Sequence, residues 1–93
     1  MQVGSNLKTG KGTVVDVRTP GEFMGGNVNG SINIPLQEIP ERLAELRALE
    51  QPLIVCCASG ARSSSAQAYL TQAGFECFNA GPWYMVEQFN LAN

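Results

Sequence analysis

The chain has no histidine at all, only three cysteines and only one tryptophan in 93 residues. Without an imidazole, Cys–His and Ser–His hydrolytic machinery is excluded, and so are most transition-metal sites. Cys56 and Cys57 are neighbours and Cys77 stands alone, which is neither a disulfide framework nor zinc-ligand spacing. No metal and no cofactor is therefore expected. Positive charge is also scarce: six Lys and Arg against eight Asp and Glu give a formal net charge of −2. That leaves no basic face for a nucleic acid. No apolar run reaches the length of a membrane span, and "MQVGSNLKTGKG" lacks the apolar stretch of a signal peptide. The expectation is a cytoplasmic protein with neither nucleic-acid nor membrane partners.

What is present is enough to fold. Hydrophobic residues make up 44% and charged residues 15%, the balance of a globular chain. The length fits a single domain, 1–93, with a small core. "GTVVDVR" holds Thr13, Val14, Val15 and Val17, a β-branched run that predicts a strand buried on both faces. In "TPGEFMGG", Thr19 suits an N-cap, Pro20 a first helical turn and Glu22 the positive helix end, with Gly25 and Gly26 as the stop.

"GSINIP" reads as a short strand. "LQEIPERLAELRALEQP" reads as a helix with Ile39, Leu43, Leu46 and Leu49 in one stripe. "LIVC" predicts a buried strand over Leu53–Cys56. "RSSSAQAYLTQAG" predicts a helix with Ala66, Tyr69, Leu70 and Ala73 on one side and Gly74 as its end. "FECFNAG" reads as a last strand and "WYMVEQFNLAN" as a terminal helix. Alternating apolar strands and helices predict an α/β fold of three layers: a mainly parallel sheet of about four or five strands with helices on both faces.

In such sheets ligands bind beyond the carboxyl ends of the strands. "CCASGARS" stands at such an end and runs into a helix. Ala58, Ser59, Gly60 and Ala61 are small, so backbone N–H groups can turn inward around one point and form an anion site with the helix start. A cysteine at the root of that ring has its thiolate favoured without any histidine. Strand, cysteine, small-residue loop, arginine and helix start coincide at Cys57. Arg62 either adds a positive charge near the loop or braces it from outside. Cys56 and Cys77 read as small buried hydrophobes.

This pattern resembles the rhodanese family. "VCCASGARS" is similar to its active-site loop Cys-x-x-Gly-x-Arg followed by Ser or Ala. "VVDVRTPGEF" is similar to the family signature Asp-x-Arg-x-Pro-x-Glu-Phe, here Asp16, Arg18, Pro20, Glu22 and Phe23. "GGNVNGSINIP" and "GFECFNAGPW" resemble two further family segments, so the likeness covers about residues 13–85.

The resemblance implies a thiosulfate sulfurtransferase type of enzyme. Cys57 would be the nucleophile, and Ala58, Ser59, Gly60, Ala61 and Arg62 the loop around the sulfur. Asp16, Arg18 and Glu22 would support the turn beside it. It also implies a small-molecule sulfur donor, thiosulfate or a persulfide, and a thiol or cyanide acceptor, with a sulfur-relay protein as a further partner.

This sequence departs from the family pattern at Ala58, Asn27, Asn29 and Ala80. With no charged side chain between Cys57 and Arg62, thiosulfate is expected to be a poor donor. Arg18 and Glu22 read most simply as an ion pair across their turn, and the resemblance implies that Asp16, Arg18 and Glu22 fix the turn rather than take part directly in catalysis. Trp83 is expected in the core rather than at the mouth of the site. Two other readings stand beside this one. Cys56 and Arg62 have the Cys-x5-Arg spacing of a phosphatase or arsenate-reductase loop, and a degenerate domain could carry or bind without turning over.

Overall fold

The computed structural model describes residues 12–86. In chain order the elements are β1 (Thr13–Asp16), α1 (Pro20–Met24), β2 (Ile32–Asn33), a 3-10 helix (Leu36–Arg42), α2 (Leu43–Arg47), β3 (Leu53–Cys57), α3 (Ala61–Gln72) and β4 (Cys77–Pro82). Residues 83–86 begin the expected terminal helix, and its remainder lies outside the described residues.

The four strands form one sheet in the order β2-β1-β3-β4, and every neighbouring pair is parallel. β3 is central and all of its residues are buried, which is why "LIVCC" is apolar without alternation. Its odd and even residues feed two separate cores. Leu53, Val55 and Cys57 face Val15, Val17, Ile34, Ile39, Leu46, Ala66 and Leu70, so the 3-10 helix, α2 and α3 cover this face. Ile54 and Cys56 face Val28 and Val86, with Val14, Phe78, Ala80 and Trp83 packed around them. Each fully buried leucine or isoleucine contributes about 1.5–3 kcal/mol of apolar burial.

The long central helix of the sequence reading is divided. Pro40 has no N–H to give, so the first half winds as a 3-10 helix and only Leu43–Arg47 is α-helical. The predicted stripe still faces inward: Ile39 and Leu46 are buried, and Leu43 and Leu49 pack against the same core. Tyr69 does not lie on the buried side of α3, contrary to the expectation from helical spacing. The inward line of α3 runs through Ser63, Ala66 and Leu70, and Tyr69 steps off it to 39% exposure. Helical spacing admitted Tyr69 as a neighbour of Leu70, but a polar Ser63 set the true phase.

β4 is not regular. Val55 pairs with Asn79 but Cys56 pairs with Gly81, so Ala80 is an extra residue in the ladder. The carboxyl ends of β1, β3 and β4 therefore bring Asp16, Cys57 and the 79–81 segment together at the carboxyl end of the parallel sheet.

Candidate active site

Cys57 is the last residue of β3 and is fully covered. After it, Ala58 and Ser59 are exposed and Gly60 turns back with φ 103° and ψ −13°. That left-handed geometry favours glycine. It aims the Gly60 N–H at Cys57 Sγ, 3.0 Å away, and starts α3 so that the Ser63 N–H points at the same sulfur from 3.4 Å. Gly60 is the N-cap and has no side chain to bond the free N–H groups of the helix start. The sulfur of Cys57 accepts the N–H three residues into the helix, the bond a capping serine or aspartate ordinarily makes.

The Ser63 hydroxyl completes the cradle. It is buried and lies 3.4 Å from Cys57 Sγ, 3.1 Å from the Gly60 carbonyl and 2.6 Å from Asn79 Oδ1. Asn79 Oδ1 also accepts the Gly81 N–H at 2.9 Å. Burial works against a Cys57 thiolate. Hydrogen bonds to the sulfur, from the Ser63 hydroxyl when its proton turns toward a thiolate and from the Ser63 and Gly60 N–H groups, outweigh it and hold the thiol below its ordinary range. Cys56 and Cys77 lack such donors, and burial pushes both up to about 12. Cys56 lies in the other core, on the opposite face of the sheet from Cys57.

The remaining loop residues do other things. The Ala61 N–H faces Ser59 Oγ at 3.5 Å rather than the sulfur. Arg62 turns away to Glu22 of α1, with Nη1–Oε1 at 2.8 Å and Nη2–Oε2 at 3.0 Å, so it braces the loop from outside. Glu22 also closes a capping box with Thr19, and the Arg62 bonds hold its carboxyl down at about 2.

The simplest reading of Arg18 and Glu22, an ion pair with each other, is not what forms. Arg18 instead grips the buried Asp16 through Nε and Nη2, donates to the Gly26 carbonyl and lies 4.7 Å over the Trp83 ring. Two residues of separation along the strand exit bring Asp16 closer than Glu22, whose carboxylate is already occupied. Trp83 packs against the second core, with its ring 3.1 Å from where a Cβ on Gly26 would stand. Asn33 donates to the carbonyls of both Asp16 and Arg18 and fixes the exit of β1. Asn27, one of the departures from the family pattern, donates to the Phe23 carbonyl at the end of α1.

Two residues of the cradle were not singled out in the sequence. Ser63 was visible only as the serine after Arg62 in the family loop. Asn79 had a weak signal, since it shares the inward phase of β4 with Cys77 and is polar there. Among the described residues no group of His, Cys, Asp and Glu could hold a metal ion, and no helix is long and apolar enough to cross a membrane. A shallow cavity of about 340 Å³ lined by Arg47, Gln51, Phe75 and Glu76 lies at the amino-terminal side of β3 and β4, away from the sulfur.

Residues 2–81 match the family described as the Rhodanese-like domain. A sulfurtransferase of Allochromatium vinosum is 39% identical over 62 residues, 67% of this chain and 57% of that protein. The thiosulfate sulfurtransferase GlpE of Stutzerimonas stutzeri is 36% identical over 69 residues, 74% of this chain and 62% of that one. The chain thus matches less than two thirds of the length of these relatives. The crystal structure of a rhodanese-related protein from Thermoplasma volcanium superposes with a TM-score of 0.77 at 32% identity, over 91% of this chain and 86% of the other. The parallel sheet, the loop after β3 and these likenesses agree: the chain belongs to the rhodanese-like domain family.

Proposed function

We propose that this domain is a sulfurtransferase that carries sulfane sulfur as a persulfide on Cys57. One observation carries the reading: Cys57 Sγ sits where two backbone N–H groups and a buried hydroxyl converge, at the start of a helix. Such a site favours a sulfur anion and needs no general base. The names of the Allochromatium and Stutzerimonas relatives support the same class of activity.

The reaction has two halves. The Cys57 thiolate attacks the outer sulfur of the donor. With thiosulfate, the new Sγ–S bond forms as the old S–S bond breaks, and sulfite leaves with the electron pair. The terminal sulfur is then an anion. An acceptor thiolate or cyanide attacks that terminal sulfur, the Sγ–S bond breaks, and the pair returns to Cys57 as thiolate. The products are a persulfide or thiocyanate.

Donor choice follows from charge. Arg62 is the cation of the loop and is paired with Glu22, so a doubly negative donor meets no free positive partner there. Thiosulfate is accordingly a weak donor, and an organic or protein-bound persulfide a better one. Cys56 as the nucleophile of an oxyanion loop is disfavoured, because its thiol is pushed up to about 12 and lies on the other face of the sheet.

The test is intact mass under non-reducing conditions after exposure to thiosulfate or glutathione persulfide, with thiocyanate release on adding cyanide. Wild type and Cys56→Ser gain one sulfur and turn over, and Cys57→Ser does neither. Loading that survives Cys57→Ser would sink the proposal.

A further inference from the structure

We propose that Asn79 is a positioning residue that governs how strongly Ser63 holds the Cys57 sulfur, by competing for the single proton of the Ser63 hydroxyl. The inference rests on the reading of Cys57 as the reacting sulfur. Its basis is a count of donors. The Gly81 N–H can only donate, so the Asn79 atom 2.9 Å from it is an acceptor, the amide oxygen. The same oxygen lies 2.6 Å from Ser63 Oγ, so the hydroxyl is the donor in that contact. The Gly60 carbonyl at 3.1 Å is a second acceptor for the same proton. With its proton turned that way, Ser63 presents a lone pair to Cys57 Sγ, 3.4 Å away.

That arrangement suits a thiol, whose S–H donates to Ser63 in a chain ending on Asn79. It does not suit a thiolate. Once the thiol proton has left to solvent, rotation about the Ser63 Cβ–Oγ bond lets the hydroxyl donate to the sulfur instead. Asn79 then keeps only the Gly81 N–H. No covalent bond changes. Asn79 thus favours the thiol, and Ser63 freed from Asn79 favours the thiolate.

The charged groups around Cys57 do not confuse this. α3 brings Arg62, already paired with Glu22 of α1. β1 leads to Asp16 and Arg18, paired with each other. Cys56 stays a thiol, and the titratable residue of β4 is Cys77 at its far end, also a thiol. These groups are the same in every variant below.

The experiment measures the rate of Cys57 alkylation by iodoacetamide against pH in the full chain, with the modified residue located by peptide mass spectrometry. The midpoint reports the thiolate. Asn79→Ala lowers it by about half a unit to one unit, and Ser63→Ala raises it by a similar amount, the size of one net hydrogen bond. In the Ser63→Ala background, Asn79→Ala moves nothing. Asn79→Val removes the same acceptor and is the second variant if Asn79→Ala does not fold; both leave the longer contact to the Gly60 carbonyl in place. A midpoint that rises or stays fixed on losing Asn79 overturns the proposal, as does a shift that persists without Ser63. A Cys57 midpoint no lower than that of an unperturbed thiol overturns it too, since no favoured thiolate then forms. Alkylation does not require sulfur transfer, so failure of sulfur loading would remove the sulfurtransferase reading and leave this result standing.

Discussion

Arg62 and Glu22 meet fork to fork, 2.8 Å and 3.0 Å apart, and tie the first turn of α3 to α1 forty residues away in sequence. The pair is partly exposed, so its weight lies in where it directs charge more than in stability. Glu22→Gln releases the guanidinium beside the loop. The expected outcome is a KM for thiosulfate lower by about fivefold at low salt, fading as salt screens it, with persulfide donors that carry a single negative charge less affected. Steady-state kinetics with both donor types at two ionic strengths checks this.

The same pair has an acid limit. The Glu22 carboxyl is held at about 2 in the folded chain against an ordinary value of about 4.5. Its stabilisation is therefore complete above about 4.5 and is lost as pH falls through about 2. The difference in Tm between wild type and Glu22→Gln should be constant near neutrality and close on strong acidification. A difference that grows in acid would show that the pair is not what holds the carboxyl down.

Cys57 works in the same direction at higher pH. Its folded thiol lies below its ordinary value, so the folded chain releases that proton first. Thiolate-dependent loading rises with pH through the lowered value and then levels. The linked stability gain is absent below that value and complete above the unfolded one. Cys57→Ser abolishes both trends, whereas Cys56→Ser, at a residue whose thiol is pushed up to about 12, leaves both in place.

Gly60→Ala asks for a side chain at φ 103°. Space is available, with Gly81 Cα at 3.5 Å, so the cost is backbone conformation, about 1–2 kcal/mol. The chain should fold with a lowered Tm. Sulfur loading should fall further than stability does, because the Gly60 N–H leaves its 3.0 Å contact with the sulfur. Loading at the wild-type rate would mean that this N–H is not part of the cradle.

Asp16→Ala strands the Arg18 guanidinium, only 5% exposed, without its carboxylate. The expected cost is about 3–5 kcal/mol in urea unfolding. Replacing both partners, Asp16→Leu with Arg18→Met, removes the buried charge together with its partner and should cost less than Asp16→Ala alone. The reverse order would mean that the Gly26 carbonyl and Trp83 ring suffice for Arg18.

The fold was readable because its signals are physical and local. β3 is apolar throughout because both faces are covered, and Thr19, Pro20 and Glu22 spell a helix start that the capping box realises. Cys57, Gly60 and Arg62 were readable as a loop because a strand, small residues and a helix start leave few alternatives. Ser63 and Asn79 were not. A serine in a helix and an asparagine in a strand ordinarily mark surface, and only the phase of α3 against β4 brings their side chains together beneath the loop. Tyr69 failed for the complementary reason: its position was judged by its neighbours on the helix, while Ser63 held the inward place. Which carboxylate Arg18 would choose was likewise decided by the path of the strand exit, which sequence spacing does not express.

The extra residue Ala80 in β4 gives the last strand an offset, so that Val55 stays beside Asn79 while Gly81 moves back beside Cys56. That offset makes the sulfur cradle a composite of two segments rather than a property of one loop. Transplanting "CCASGARS" alone onto a regular parallel sheet would carry the cysteine and its backbone donors but leave Ser63 with no amide to answer to. A portable version of this site is the loop together with Asn79, Ala80 and Gly81, and any shortening of β4 by one residue would retune the sulfur without touching the residues around it.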